Sequence, residues 1–353
     1  MKSKKKLFLP GALLLACVLV LINSGCKKVS DLNPTPKSDV DVYVSGLQDN
    51  QAVVWKNGVV AQLPGLPNYS FTYSMNMTSN GSDIYVAGTV SSTATSDDQI
   101  PVYWKNGVIT GLDVGILGTA QAFAIAVSGN DVYVAGSTNP LPVPNAYAHA
   151  VYWKNGVITD LVADPAVYTY AQAWGIAISG TDVYICGSVR KNNTPKSEAV
   201  YWKNGVLHEI TDGSTVGAIA TSIAVKNDQV YVTYFNLVPD GPEGYSWING
   251  VTAPLSDHKS IAGGITANGS DIYIAGDTYP LGASATAVVW KNGIAQNLTG
   301  GGTGTAVRAL SIFGSDVYAA GWGSTGAVYW KNGVAVQIGA ANSSANGIVV
   351  VAN

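Results

Sequence analysis

Acid–base and metal chemistry needs carboxylates, imidazoles and thiols held close together, and this chain offers few of them. Its three histidines, His149, His208 and His258, fall at non-equivalent points of the sequence. It contains no His-Glu-x-x-His pair, no paired cysteines for zinc, no phosphate-cradling glycine loop and no Gly-x-Ser-x-Gly elbow. Two carboxylate pairs, Asp97-Asp98 and Asp240 with Glu243, have the residue types for a general acid and base. Solvated loop charge accounts for them equally well. The sequence therefore assigns no catalytic residue, no metal ligand and no cofactor.

Stepping from those residues to the elements that carry them, a repeat dominates. Trp55-Lys56-Asn57-Gly58 recurs at Trp104, Trp153, Trp202, Trp290 and Trp330, and at Trp247 with Ile248 in the lysine slot. Ahead of each copy runs an apolar phrase that starts at Asp41, Asp83, Asp131, Asp182, Gln229, Asp271 or Asp316. Those starts lie 42, 48, 51, 47, 42 and 45 residues apart, the period of a four-stranded propeller blade. Repeat three shows the four strands, here named A to D: residues 122–127, 131–135, 150–154 and 157–161. Asn-Gly between C and D is the preferred pair for a two-residue type I′ hairpin, because both turn positions need positive φ. The aspartates that open the B strands follow tight turns, a place where Asp bonds local backbone amides.

The B strands are apolar on both faces, as Val42-Tyr43-Val44 shows, which suits sheets sandwiched between neighbours. Tryptophans and tyrosines at equivalent slots read as packing between such sheets. The first unit lacks strand A, whereas residues 344–351 have the pattern of a strand A with nothing after them. The expected fold is all-β: a seven-bladed β-propeller of four-stranded antiparallel blades, closed by the C-terminal strand completing the N-terminal blade. That domain is assigned to residues 39–353.

Residues 1–25 read as an export signal, with Lys2 to Lys6 as the positive region and Leu7 to Ile22 as the apolar core. Residues 26–38 carry Pro34 and Pro36 and read as a flexible tether. Cys186 takes a slot that Ala87, Ala135 and Ala275 fill elsewhere, and so reads as a small buried residue. Once the leader lysines are removed, 15 basic side chains face 22 acidic ones. No basic stripe remains to track a phosphate backbone, which argues against a nucleic-acid partner.

Alternate up-and-down strands place the A–B and C–D turns on one face and the B–C and D–A loops on the other. The first set barely varies among the repeats; the second varies widely in length. Binding belongs on variable loops held by a rigid scaffold. Candidate ligand contacts there are Tyr147, His149, Tyr170, Trp174, Arg190 and Tyr234, with Asp240, Glu243, Tyr245, Tyr279 and Trp322. Flat rings beside amides and carboxylates suit a sugar or an extended peptide, and rings capping the core are the plainer reading. Tyr234 stands where other repeats have glycine, which marks repeat five as either a site or a drifted copy.

Two resemblances sharpen these expectations. Ser24-Gly25-Cys26 after the apolar core resembles the lipobox of bacterial lipoproteins, with Asn23 departing from it; this implies cleavage before Cys26 and acylation there. Val132 to Gly136 followed by Ala150 to Gly156 resembles secreted bacterial YWKNG-repeat proteins and, more distantly, HAF-like repeats. The resemblance implies an extracytoplasmic propeller on the cell envelope, held to the outer membrane by its lipid, and supplies no catalytic residues. The expected function is non-catalytic binding or scaffolding of a glycan or an envelope protein by a monomer. The alternatives are a carbohydrate-active enzyme using loop carboxylates and a purely structural envelope protein.

Overall fold

The computed structural model describes residues 39–353 except 70, 93–97, 116–117, 140–147, 163 and 165. The proposed signal, tether and lipid site at Cys26 lie outside the described residues, as do Asp97 and Tyr147. Among the described residues all 28 elements are β-strands, and they pair into seven antiparallel sheets of four. Blade 1 contains β28 (Ser343–Ala352), β1 (Val40–Gln48), β2 (Gln51–Lys56) and β3 (Val59–Gln62), in that order. Blades 2 to 7 follow in sequence as β4–β7, β8–β11, β12–β15, β16–β19, β20–β23 and β24–β27. Their first strands are β4 (Phe71–Asn80), β8 (Thr119–Ser128), β12 (Tyr168–Ser179), β16 (Gly217–Lys226), β20 (Lys259–Asn268) and β24 (Ala306–Phe313). These six and β28 touch one another in turn, β28 meeting β4, and so close an inner ring. The molecule is a seven-bladed β-propeller closed by its last strand, as the repeat predicts.

The closure is a register, not only a proximity. Strand β28 pairs antiparallel with β1 from Val40↔Ala352 to Gln48↔Ser343, longer than the predicted 344–351. Asn353 N donates to Asp39 O at 3.1 Å, so the two ends of the domain are stitched together.

Seven hydrophobic clusters hold the ring, and each straddles one junction between neighbouring blades. The repeated tryptophan is the largest contributor. Trp55, Trp104, Trp153, Trp202, Trp290 and Trp330 are all at most 1% exposed. Each sits among residues of an adjoining blade; Trp330, for example, packs with Val289 and Leu298 of blade 6. Truncating such a ring to alanine costs about 3–5 kcal/mol. The outermost D strands are only four residues long and exposed, a common way to blunt a sheet edge.

Candidate functional site

The uniform face is a fastener repeated around the ring. In blade 3, Asn155 and Gly156 adopt φ of 51° and 87°, as the type I′ hairpin requires. Asn155 Oδ1 accepts from Val132 N at 2.9 Å, while its Nδ2 donates to Asp131 Oδ1 at 2.7 Å. Lys154 Nζ lies 2.8 Å from Asp131 Oδ2 and 5.3 Å above the Tyr133 ring. The same four residues interlock at Asp41, Asp83, Asp182, Asp271 and Asp316. This corrects the expectation that the aspartates bond local backbone amides: they clasp the next hairpin's Asn and Lys instead. Hydrogen bonds from lysine hold Asp83, Asp131, Asp271 and Asp316 below the usual carboxylate range, and Asn204 does most of this for Asp182. Blade 5 replaces the pair by Gln229 and Ile248, yet Asn249 Oδ1 still accepts from Val230 N at 2.8 Å.

On the variable face the predicted contacts are mostly engaged with protein. His149 Nδ1 is 2.7 Å from Asp160 Oδ2, and Arg190 Nε donates to Thr169 Oγ1 at 3.0 Å. The Tyr170 hydroxyl donates to Gln172, and burial raises its phenol above the ordinary value. Asp240 is exposed at the tip of its turn. Glu243 Oε1 lies 2.8 Å from Lys259 Nζ, a bond that holds its carboxyl below the usual range. Tyr245 stacks on Tyr234 with ring centroids 5.2 Å apart. Tyr234 itself is buried in the junction between blades 4 and 5, so its departure from glycine serves packing and offers a ligand no surface.

Cys186 is fully buried, and desolvation pushes its thiol up, as expected of a small core residue.

The structure joins two of the predicted residues, Tyr279 and Trp322, through the pair Asp277 and Arg308. Asp277, fully buried, accepts from Arg308 Nη1 at 2.7 Å and from the Tyr279 hydroxyl. Burial, reinforced by that bond, pushes the Tyr279 phenol up to about 12. The Arg308 guanidinium rests 4.6 Å from the Trp322 ring centroid. Burying a lone charge is costly, and the Asp277–Arg308 pair with its extra hydrogen bond offsets that cost.

Arg308 belongs to a ring of seven equivalent residues. Every innermost strand carries a register break at the same place, a β-bulge that leaves one residue unpaired: Asn346, Met75, Phe123, Trp174, Thr221, Gly263 and Arg308 in blades 1 to 7; β12 has a second break, between Tyr168 and Tyr170. A bulge re-aims the extra side chain. All seven line one cavity of about 440 Å³ enclosed by the inner strands, together with Asn76, Ser222 and Trp322. Trp174 is therefore not a loop residue, as expected from sequence, but a wall of the channel. It stacks on Phe123, centroids 4.3 Å apart at 16°, and its Nε1–H has no acceptor among the described residues. Asn346 Nδ2 donates to Ser74 O at 2.8 Å, which ties the closing blade to its neighbour. At Gly263 a Cβ would sit 2.6 Å from Arg308 Cα, so only glycine lets blades 6 and 7 approach this closely. The ring thus has an apolar arc in blades 2 to 4 and a polar arc in blades 5, 7 and 1.

No family model matches the chain, and no curated protein matches it. Solved structures do. A puromycin-hydrolyzing peptidase of Mycobacterium tuberculosis superposes with a TM-score of 0.53 at 13% identity, over 86% of this chain and 54% of its own. TolB from Acinetobacter baumannii gives 0.46 at 11% identity, over 74% of this chain and 63% of its own. The β-propeller domain of the Trilobed protease from Pyrococcus furiosus gives 0.46 at 9%, over 75% and 79%. The chain thus spans little more than half the length of the peptidase. At such identities the likeness shows a shared fold and nothing of function.

Proposed function

We propose that this protein is a non-catalytic binding propeller of the bacterial cell envelope, anchored through acylated Cys26 and presenting its variable face to a glycan or protein ligand. The observation that carries the reading is the contrast between faces. The Asp–Lys–Asn–Tyr clasp repeats in six of seven blades on one side. The loops opposite differ in length and residue type from blade to blade. A face freed from repetition on a rigid ring is where selection for a ligand acts.

The enzymatic alternative is weaker on physical grounds. A glycosidase's general acid needs a raised pKa, whereas Glu243 is held low by Lys259. Asp277 is buried against Arg308 and Tyr279. The purified mature protein should capture ligands on a glycan array or in an envelope pull-down, and should turn over no member of a polysaccharide panel. Turnover abolished by Glu243→Gln would replace binding with catalysis. Incorporation of a clickable fatty acid, lost in Cys26→Ala, checks the anchor; equal labelling of both proteins would remove it.

A further inference from the structure

The bulge ring has the chemistry of a small-molecule site that is separate from the loops. Cavities of 300–1,000 Å³ lined by aromatic rings and a few convergent polar groups are the usual form of ligand sites, and this one measures about 440 Å³. Inner-strand bulges serve to turn side chains, and here they turn seven different residue types inward at equivalent positions. Beside the two rings the flanking slots are small: Ala122 and Ala124 bracket Phe123, and Ala173 and Gly175 bracket Trp174. A ring kept only for packing would repeat, as the tryptophans of the C strands do.

We propose that the channel binds an acidic saccharide, with a hexuronate unit seated between the Phe123–Trp174 stack and Arg308. Three features point to that class. The aromatic arc offers flat apolar surface to the C–H face of a pyranose ring. Arg308 spends Nη1 on Asp277 and on Val307 O, and its guanidinium also borders the Tyr279 hydroxyl, while Nε and Nη2 form no geometric hydrogen bond with the described residues. A guanidinium held by a buried carboxylate, with part of its fork left over, is built to grip a second carboxylate. Asn346 keeps Oδ1 without a partner among the described residues, and Ser222 Oγ, which accepts from Ile265 N at 3.3 Å, retains its own proton. Ring hydroxyls of a sugar satisfy these groups; an aromatic carboxylate would leave them bare. Asp277 and Tyr279 act as positioning residues, since they touch the guanidinium and not the cavity's occupant.

This inference stands apart from the loop-face reading, and either can fail alone. Isothermal titration of the mature protein with digalacturonate and with a neutral galactose disaccharide provides the test. Digalacturonate should bind at least tenfold more tightly, the worth of one charge-assisted hydrogen bond. Met75→Glu places a carboxylate in the channel at a position already 37% exposed. It leaves the Asp277–Arg308 pair intact, and should weaken acidic-sugar binding tenfold or more with an unchanged melting temperature. Arg308→Lys should abolish the preference for the acidic sugar. Equal affinity for both sugars, no saturable heat with digalacturonate, or binding indifferent to Met75→Glu in a folded protein would each overturn the proposal.

Discussion

Gly136 shows how much a single missing side chain carries in this ring. Its φ is not positive; the constraint is space. A Cβ there would overlap the carbonyl oxygen of Gln121 and lie 2.9 Å from the Trp153 ring. Gly46, Gly88, Gly187, Gly276 and Gly321 meet the equivalent carbonyl, two residues before the bulge, so this glycine lets the inner strand press close beside it. Gly136→Ala should destabilise the domain by about 1–3 kcal/mol, an overpacking cost, read as a lower urea midpoint. An unchanged midpoint would mean that the strand relaxes freely. The clasp makes a different prediction. Asp131, Asp182 and Asp271 have folded pKa values below their unfolded ones, so their contribution is present above about pH 4 and lost as pH falls through the folded values. The partner lysines are raised, and their contribution holds until pH climbs past about 10 and through the raised folded values. Stability should therefore be flat across neutrality with a limb below about pH 4. Replacing Asp131, Asp182 and Asp271 together by Asn should make that acid limb shallower in pH-dependent melts. An identical limb would show that these exposed pairs contribute nothing measurable, as many surface pairs do.

Strands and turns were readable because local chemistry dictates them. Asn-Gly sets the hairpin φ values, short runs rich in Val, Ile, Tyr and Trp set the strands, and the 42–51-residue spacing sets the blade. The inner strands run longer than their sequence pattern, β8 covering Thr119–Ser128 where residues 122–127 were expected. The bulges were not readable. An extra residue between small neighbours, as in Ala122-Phe123-Ala124, leaves strand alternation looking intact, and only cross-strand register exposes it. A signal nevertheless exists: each bulge residue of blades 2 to 7 lies six positions before the A–B turn residue Gly81, Gly129, Gly180, Asn227, Gly269 or Gly314. Arg308, Phe123, Met75, Thr221 and Asn346 escape a sequence reading because they vary inside strands, where repetition is the rule. At this scale the closing strand is the sharpest test. Strand β28 supplies Ala345, Ile348 and Val350 to one blade junction, while Val349 and Val351 pack against the next. Deleting residues 343–353 should abolish the cooperative melt of the whole domain, because the inner edge of β1 and two junctions lose their cover together. A truncated protein that melts like the parent would show that blade 1 is dispensable to the ring.

Seven junction clusters of similar make-up mean that no single blade is the molecule's core. Stability is shared around a circle, each blade braced by two neighbours, and the chain break in blade 1 is one seam among seven equivalent positions. The ends of the domain already touch, with Asn353 N bonded to Asp39 O. A short linker can therefore join them without crossing the structure. Opening the chain elsewhere in a variable-face loop moves the seam but preserves every strand pair and every cluster. The loop between β21 (Asp271–Tyr279) and β22 (Thr286–Lys291) suits this, since Leu281 is wholly exposed and exposed loop tips tolerate new termini. A permutant of residues 39–353 cut between Gly282 and Ala283 should fold with the same far-ultraviolet spectrum and melt within a few degrees of the parent. Its folding should be no slower, because pairing β28 with β1 requires the most distant contact in the chain and permutation makes that contact local. Combining the cut with Gly136→Ala separates two ideas about the ring. If stability is shared, the two changes add, as independent sites do. If the native seam is a privileged nucleus, the permutant alone fails to fold, and the picture of seven interchangeable junctions falls with it.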